Sequence, residues 1–211
     1  MKKIIAVDGP AGAGKSTVSK IVAAKLGYTY IDTGAMYRAV ALKSSRSCED
    51  LIMLIDDIEI ELDDRARVFL DGVEVTKEIR TPEISKLASD VSKFGFVRKK
   101  LTELQRKMAE RGSVIMDGRD IGTQVLPNAD LKIFLTASLN ERARRRFEEL
   151  QMKGQEVDFD AIKKEIALRD KQDTEREIAP LKKAEDAILI DSTNLTIDEV
   201  AGKILTLCST D

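Results

Sequence analysis

Gly9-Pro10-Ala11-Gly12-Ala13-Gly14-Lys15-Ser16, with Thr17 next, is the stretch on which the reading of this chain turns. It fits the pattern Gly-x4-Gly-Lys-[Ser/Thr]. An apolar run, Lys3 to Val7, leads into it, and a helix-like segment, Ser16 to Leu26, leads out of it and stops at Gly27. Glycines let the backbone curl so that successive N–H groups converge on phosphate oxygens, and the following helix adds the positive end of its dipole. Lys15 is then placed to reach the β- and γ-phosphates and the Ser16 hydroxyl to ligate Mg²⁺. A glycine-rich turn arising by chance need not have a strand before it and a helix after it, and this one has both. Residues Gly9, Pro10, Ala11, Gly12, Ala13, Gly14, Lys15, Ser16 and Thr17 are therefore expected to bind a nucleoside triphosphate, with Mg²⁺ as cofactor.

Outward from this loop, short apolar segments alternate with amphipathic ones of helix length, the pattern of an α/β fold with a parallel sheet flanked by helices. Five core strands are expected: Lys3 to Val7, Tyr28 to Ile31, Val114 to Met116, Leu131 to Thr136 and Ala187 to Ile190. In an open parallel sheet ligands sit beyond the carboxyl ends of the strands. The tails Asp8-Gly9, Asp32-Thr33-Gly34, Asp117-Gly118-Arg119-Asp120, Ala137-Ser138 and Asp191-Ser192-Thr193-Asn194 should gather around one crevice. One stretch departs from the alternation. Ile58 to Leu62, Val68 to Leu70 and Val73 to Val75 have period-two patterning, with Asp71-Gly72 as a hairpin turn, and predict a small antiparallel insert. Thr81-Pro82 caps a helix from Glu83 to about Gly95. Further helices are expected over Val97 to Arg111, Leu139 to Lys153, Phe159 to Glu175 and Ile197 to about Leu207.

Composition narrows the chemistry. The 211 residues include no histidine, so triads that need an imidazole, and His-containing zinc sites, are excluded. Lys and Arg number 35 against 37 Asp and Glu, so no global basic field points to nucleic acid, and 4% aromatic content argues against an RNA-stacking surface. The apolar runs are far shorter than a membrane span requires. With Cys48 and Cys208 far apart, the chain is expected to be a single cytoplasmic domain with reduced thiols, acting as a monomer without nucleic acid or membrane. A regulatory GTPase needs Asp-x-x-Gly and Asn-Lys-x-Asp, and neither string occurs. Arginines plentiful in the chain itself point to a small kinase.

Several groups are candidates for the acceptor side. In Asp32-Thr33-Gly34-Ala35-Met36-Tyr37-Arg38, a hydroxyl at the start of a helix and an arginine one turn in can hold an anion. A plain helix cap with Arg38 solvated is the competing reading. Asp117 ends a strand where a carboxylate can hold Mg²⁺ through water, with Arg119 and Asp120 beside it; the alternative is a charged loop paired internally. Arg142, Arg144, Arg145 and Arg146 share one helix, and Arg169, Asp173 and Arg176 fall on one face of another. Either set is a solvated surface or a source of cations over phosphates.

Taken together, Gly9 to Thr17, Asp32 to Arg38, Glu78-Ile79-Arg80-Thr81, Asp117-Gly118-Arg119-Asp120-Ile121-Gly122-Thr123, Arg169-Asp170 and Ala179-Pro180-Leu181 resemble the bacterial cytidylate kinases, nucleoside monophosphate kinases of the P-loop fold. The resemblance runs nearly the full length, and the insert looks like the enlarged monophosphate-binding region of that family. It implies that Thr33, Arg38 and Arg119 grip the acceptor 5′-phosphate, and that Ser89, Arg98 and Asp120 read the cytosine edge. Arg169 would reach the phosphates, Asp173 the ribose hydroxyls, with Arg176 close by. Thr33 stands where many members have serine.

The resemblance further implies in-line transfer of the γ-phosphoryl of MgATP to CMP or dCMP. Lys15, Arg119, Arg169, Arg142 and Arg146 are the candidate catalytic cations, and Ser16 and Asp117 the metal-holding pair. The core would comprise about 1–34, 112–140 and 161–211, the monophosphate-binding insert about 35–111 and a lid about 141–160. Another small P-loop kinase, acting on UMP, AMP or a metabolite, and a non-catalytic nucleotide-binding protein are the rival readings.

Overall fold

Ile5, Ala6 and Val7 are almost wholly buried, as an unbroken apolar run is when it lies in the middle of a parallel sheet. A computed structural model describes residues 3–63 and 65–209. In chain order its elements are β1 (Ile4–Asp8), α1 (Lys15–Leu26), β2 (Thr29–Asp32), α2 (Thr33–Arg46), α3 (Leu51–Asp56), β3 (Ile60–Leu62), β4 (Val68–Leu70), β5 (Val73–Glu74), α4 (Pro82–Val91), α5 (Gly95–Ala109), β6 (Val114–Gly118), β7 (Leu131–Thr136), α6 (Leu139–Met152), α7 (Phe159–Glu175), β8 (Ile188–Asp191) and α8 (Ile197–Ser209).

Among the described residues the strands form a five-stranded parallel sheet in the order β2-β6-β1-β7-β8, and a separate antiparallel sheet, β3-β4-β5. The expected fold class is therefore the observed one. One face of the large sheet packs Val7, Ile133 and Leu135 against Val18 and Val22 of α1 and Val200 and Ile204 of α8. The other packs Ala6, Ile31 and Met116 against Ile121 and Val125. The insert has a core of its own, in which Met36 and Val40 of α2 meet Val68, Leu70, Ile79 and Leu101. Helices α6 and α7 pair through Ala143, Leu150, Ile162 and Ile166, with Phe147 and Phe159 edge to face at 6.0 Å.

Local chemistry accounts for the element ends. Asp32 caps α2 by accepting from Ala35 N–H, Thr81 caps α4 with Pro82 at its first position, and Asp158 caps α7. The β4–β5 turn is Asp71-Gly72, both at positive φ, the backbone that a two-residue hairpin needs to match strand twist. Two elements depart from expectation. Leu51–Asp56, a short apolar run, is a helix capped by Asp50. The helix after Thr81 stops at Val91 rather than near Gly95, because Phe94, in extended conformation, begins α5.

Candidate active site

The phosphate loop lies between the end of β1 and α1. A Cβ at Gly9, whose φ is 151°, would stand 1.9 Å from the Leu135 carbonyl oxygen, so the strand can turn into the loop only without a side chain there. Helix α1 starts on Gly14 with no side-chain cap, so its first N–H groups are not taken by a side chain. Lys15 is buried and donates to the Pro10 carbonyl at 2.8 Å.

A cavity of about 1090 Å³ opens over this loop, at the carboxyl ends of the parallel strands. Of the residues singled out in the sequence, Ala11 to Thr17, Thr33, Arg38, Ser89, Arg98, Asp117, Arg119, Asp120, Arg146, Arg169, Asp173 and Arg176 all line it. Of the five strand tails, those after β2, β6 and β8 contribute lining residues. Gly9, Pro10 and Arg142 do not line it. Arg142, expected over the transferred phosphoryl, packs on the loop itself: Nε donates to Ala137 O, and Nη1 to Ala11 O at 2.9 Å and to Asp170 Oδ2 at 2.5 Å. Arg146 reaches the cavity from α6 and pairs with Glu149 at 2.8 Å.

Charge in the cavity is arranged in two zones. Near the loop, Lys15, Arg38, Arg119 and Arg169 converge. Burial, reinforced by the Arg119 guanidinium, pushes Lys15 down to about 7 and Arg169 down to about 10. The Nε atoms of Arg38 and Arg169 are buried with no hydrogen-bond partner among the described residues. Cations held this close and this dry call for an anion. Further out, charges alternate: Arg98 to Asp120 at 2.5 Å, Arg176 to Asp120 at 3.5 Å, Arg176 to Asp173 at 3.8 Å, and Arg119 to Asp173 at 2.7 Å. Each carboxylate and guanidinium in this series, Arg98, Asp120, Arg176, Asp173 and Arg119, is oriented by its neighbours.

Asp117 sits beside the phosphate loop, against Ser16. Its Oδ2 accepts from Ser16 Oγ at 2.8 Å, its Oδ1 from the Tyr30 hydroxyl at 2.8 Å, and its carbonyl from the Thr33 hydroxyl at 2.7 Å. Burial and then the nearby Asp32 push the Asp117 carboxyl above its ordinary range, a cost that a bound cation would relieve. A hydroxyl and a carboxylate oxygen side by side are the hard donors Mg²⁺ takes from protein, the rest of its shell coming from water and phosphate. The donor set fits that ion.

Four residues with work at this site were given no role of their own by sequence reasoning. Tyr30 holds Asp117. Asp170 accepts from the Ala11 N–H at 3.3 Å and pairs with Arg142. Arg80, from a 3₁₀ turn in the insert, shares Asp32 with Arg38, at 2.8 Å and 3.3 Å. Asp8 accepts from the amides of Ile121 and Gly122. For Arg80 and Asp170 the signal lay in the quoted strings. For Tyr30 and Asp8 it lay in contacts across 87 and 113 residues, which no local pattern carries.

A family model described as cytidylate kinase matches residues 5–210. The cytidylate kinase of Caldicellulosiruptor bescii is 57% identical over 217 residues, covering 98% of this chain and 96% of that protein. That of Bacillus pumilus is 55% identical over 213 residues, covering 97% and 95%. Among solved structures, a shikimate kinase from Bacteroides thetaiotaomicron superimposes with a TM-score of 0.54 at 14% identity over 98% of both chains, a likeness of fold. With phosphate loop, acceptor-side strings and insert all inside the matched span, the chain belongs to the cytidylate kinase family.

Proposed function

We propose that the protein transfers the γ-phosphoryl group of MgATP to CMP or dCMP, yielding CDP or dCDP and ADP. The observation that carries the reading is one cavity holding both zones: Lys15, Arg38, Arg119 and Arg169 gathered over a phosphate loop, with the Nε atoms of Arg38 and Arg169 buried and without a hydrogen-bond partner among the described residues, and a buried Arg98–Asp120 pair lining the same cavity. The acceptor is a phosphate with a second pKa of about 6, so it arrives mostly dianionic and no general base is needed. The absence of histidine is no handicap here. What the chain must do is bring two polyanions together and stabilise charge spread over the transferred group.

Lys15 and the loop amides receive the β- and γ-phosphates of ATP. Arg38, Arg119 and Thr33 hold the acceptor phosphate, and Arg169, with its free Nε, faces the gap between them. Arg146 approaches from α6. Ser16 and Asp117 would hold Mg²⁺, which when bound neutralises charge on the β- and γ-oxygens. Asp120 accepts from the exocyclic amine of cytosine, while Arg98 and Ser89 address its carbonyl and N3. Uracil would turn an oxygen toward the Asp120 carboxylate, leaving an acceptor facing an acceptor in a buried site. Asp173 takes the ribose hydroxyls, with Arg176 beside it. Closure of the insert, about 35–111, and of the lid, about 141–160, excludes the water that would otherwise hydrolyse ATP. We read the chain as a cytoplasmic monomer, and the near-balance of its charge accords with work on free nucleotides rather than on nucleic acid.

The test is steady-state phosphoryl transfer with CMP, dCMP, UMP, AMP and dTMP as acceptors. CMP and dCMP should lead. If UMP or AMP outpaces CMP by about tenfold, the assignment of Asp120 is wrong. Replacing Lys15 by Ala should cut turnover by orders of magnitude in a folded protein, and near-normal activity would overturn the role of the phosphate loop.

A further inference from the structure

Asp8 is the last residue of β1 and is 5% exposed. Its Oδ1 accepts from the Ile121 N–H at 2.8 Å and its Oδ2 from the Gly122 N–H at 2.7 Å. Two backbone amides hold this carboxylate, and among the described residues no guanidinium or ammonium pairs with it. Burial pushes its carboxyl up to about 6, against the pull of those amides. An ionised group held out of water in this way does not improve the sheet it sits in. Its effect falls on the segment it grips.

That segment follows Arg119 and Asp120 directly. Residues Ile121–Val125 make one turn with π-type bonding, in which Val125 N–H donates to Asp120 O at 3.2 Å and Leu126 N–H to Ile121 O at 2.7 Å. The first amides of such a turn have no acceptor within it, and Asp8 supplies two. Single turns of this kind are frequent at functional sites, where they aim a neighbouring side chain. The side chains aimed here are Asp120, paired with Arg98 and Arg176, and Arg119, paired with Asp173. On the other side, Asp8 is bonded directly to Gly9, the first residue of the phosphate loop.

We propose that Asp8 is a positioning residue for acceptor specificity: by holding the Ile121 and Gly122 amides it sets where Asp120 meets the nucleobase and where Arg119 meets the acceptor phosphate, in register with the phosphate loop. The inference rests on the roles proposed above for Asp120 and Arg119.

Two substitutions disturb the junction from opposite sides. Asp8→Asn keeps the shape but turns one acceptor into a donor facing a backbone N–H. Gly122→Ala leaves the Asp8 residue in place but would set a Cβ 3.4 Å from its Oδ2 and 3.2 Å from Lys132 Cδ, so the Lys132 side chain or the turn must give by a few tenths of an ångström, at the edge of the Asp8 carboxylate. For each variant, kcat and KM are measured with CMP, UMP and ATP. The ratio of kcat/KM for CMP over UMP should fall about tenfold in Asp8→Asn and less in Gly122→Ala, with KM for CMP raised and KM for ATP changed less than about threefold. A folded variant pair that keeps the parental ratio, whatever its melting temperature, overturns the proposal. So does an equal rise in KM for ATP and CMP, which would make Asp8 a support of the phosphate loop alone. If Asp8→Asn does not fold, Gly122→Ala decides by the same ratio. Asp120→Asn is run alongside. If it leaves the ratio intact, the reading of Asp120 fails and this inference with it; loss there, with none in the other two, overturns Asp8 alone.

Discussion

Replacing Arg142 by Ala separates two roles that a lid arginine can have. In the structure its side chain is 8% exposed, and its donors go to Ala137 O, Ala11 O and Asp170 Oδ2. Truncation would strand two carbonyls and the Asp170 carboxylate, which is itself 21% exposed. Breaking a buried ion pair from one side costs about 3–5 kcal/mol, and the partial exposure of Asp170 puts the loss near about 3 kcal/mol. Against a total stability on the order of 5–15 kcal/mol, that is easily seen in urea denaturation. Ala11 would be freed on its carbonyl side, so KM for ATP should rise while kcat falls less than about tenfold. Initial rates with ATP varied at saturating CMP give both constants. Asp170→Ala should behave alike, and the pair should show a coupling of about 1–3 kcal/mol in a double-mutant cycle. A loss of about a hundredfold in kcat, with stability within about 1 kcal/mol of the parent, would refute this reasoning and put the guanidinium on the reacting phosphoryl.

Three other outcomes follow from the geometry. The Asp8 carboxyl, raised from 3.8 to about 6 on folding, binds its proton more tightly in the folded chain, so the contribution of Asp8 to stability should fall by about 3 kcal/mol as pH rises through that window. Unfolding curves of the parent and Asp8→Asn taken at several pH values should diverge by that amount, and parallel curves would contradict the burial argument. Tyr30→Phe removes the hydroxyl that holds Asp117 Oδ1 and should weaken metal binding to the nucleotide complex about tenfold, read by Mn²⁺ paramagnetic resonance; unchanged affinity would confine that hydroxyl to stability. Gly9→Ala drives a Cβ to 1.9 Å from Leu135 O and should destabilise by more than about 4 kcal/mol, so a variant with the parental melting temperature would show that the loop can move as a body.

Much of this fold is written in local patterns. The phosphate loop, the strands and helices to within a few residues, and the Asp71-Gly72 hairpin all rest on short-range rules of turn, cap and period. What local patterns miss is decided by packing. Leu51–Asp56 is too short for its period to tell strand from helix. Arg142 and Arg146 lie one turn apart on α6, and only the packing of α6 on α7 through Ala143 and Leu150 decides that Arg142 faces the loop and Arg146 the cavity. The turn at Ile121–Val125 has no periodic signature, because part of its bonding is to a carboxylate brought alongside by sheet order. Residue type is legible in sequence; the direction in which a side chain points is legible where a helix face or strand alternation sets it, and not where a distant partner does.

The strand order has a consequence in time. β1 is made first and lies in the centre, yet the residues it pairs with, Val114–Gly118 and Leu131–Phe134, come far later in the chain. The insert, by contrast, closes a core drawn from residues 35–108. Non-local pairings form late, since loop closure must precede any gain from contact. During synthesis the insert can therefore collapse while Ile4 to Asp8 still has no neighbouring strand, and the phosphate loop takes its shape only once β6 and β7 have left the ribosome. Until then Ile4, Ile5 and Val7 form an unpaired apolar edge, the segment a chaperone would have reason to shield.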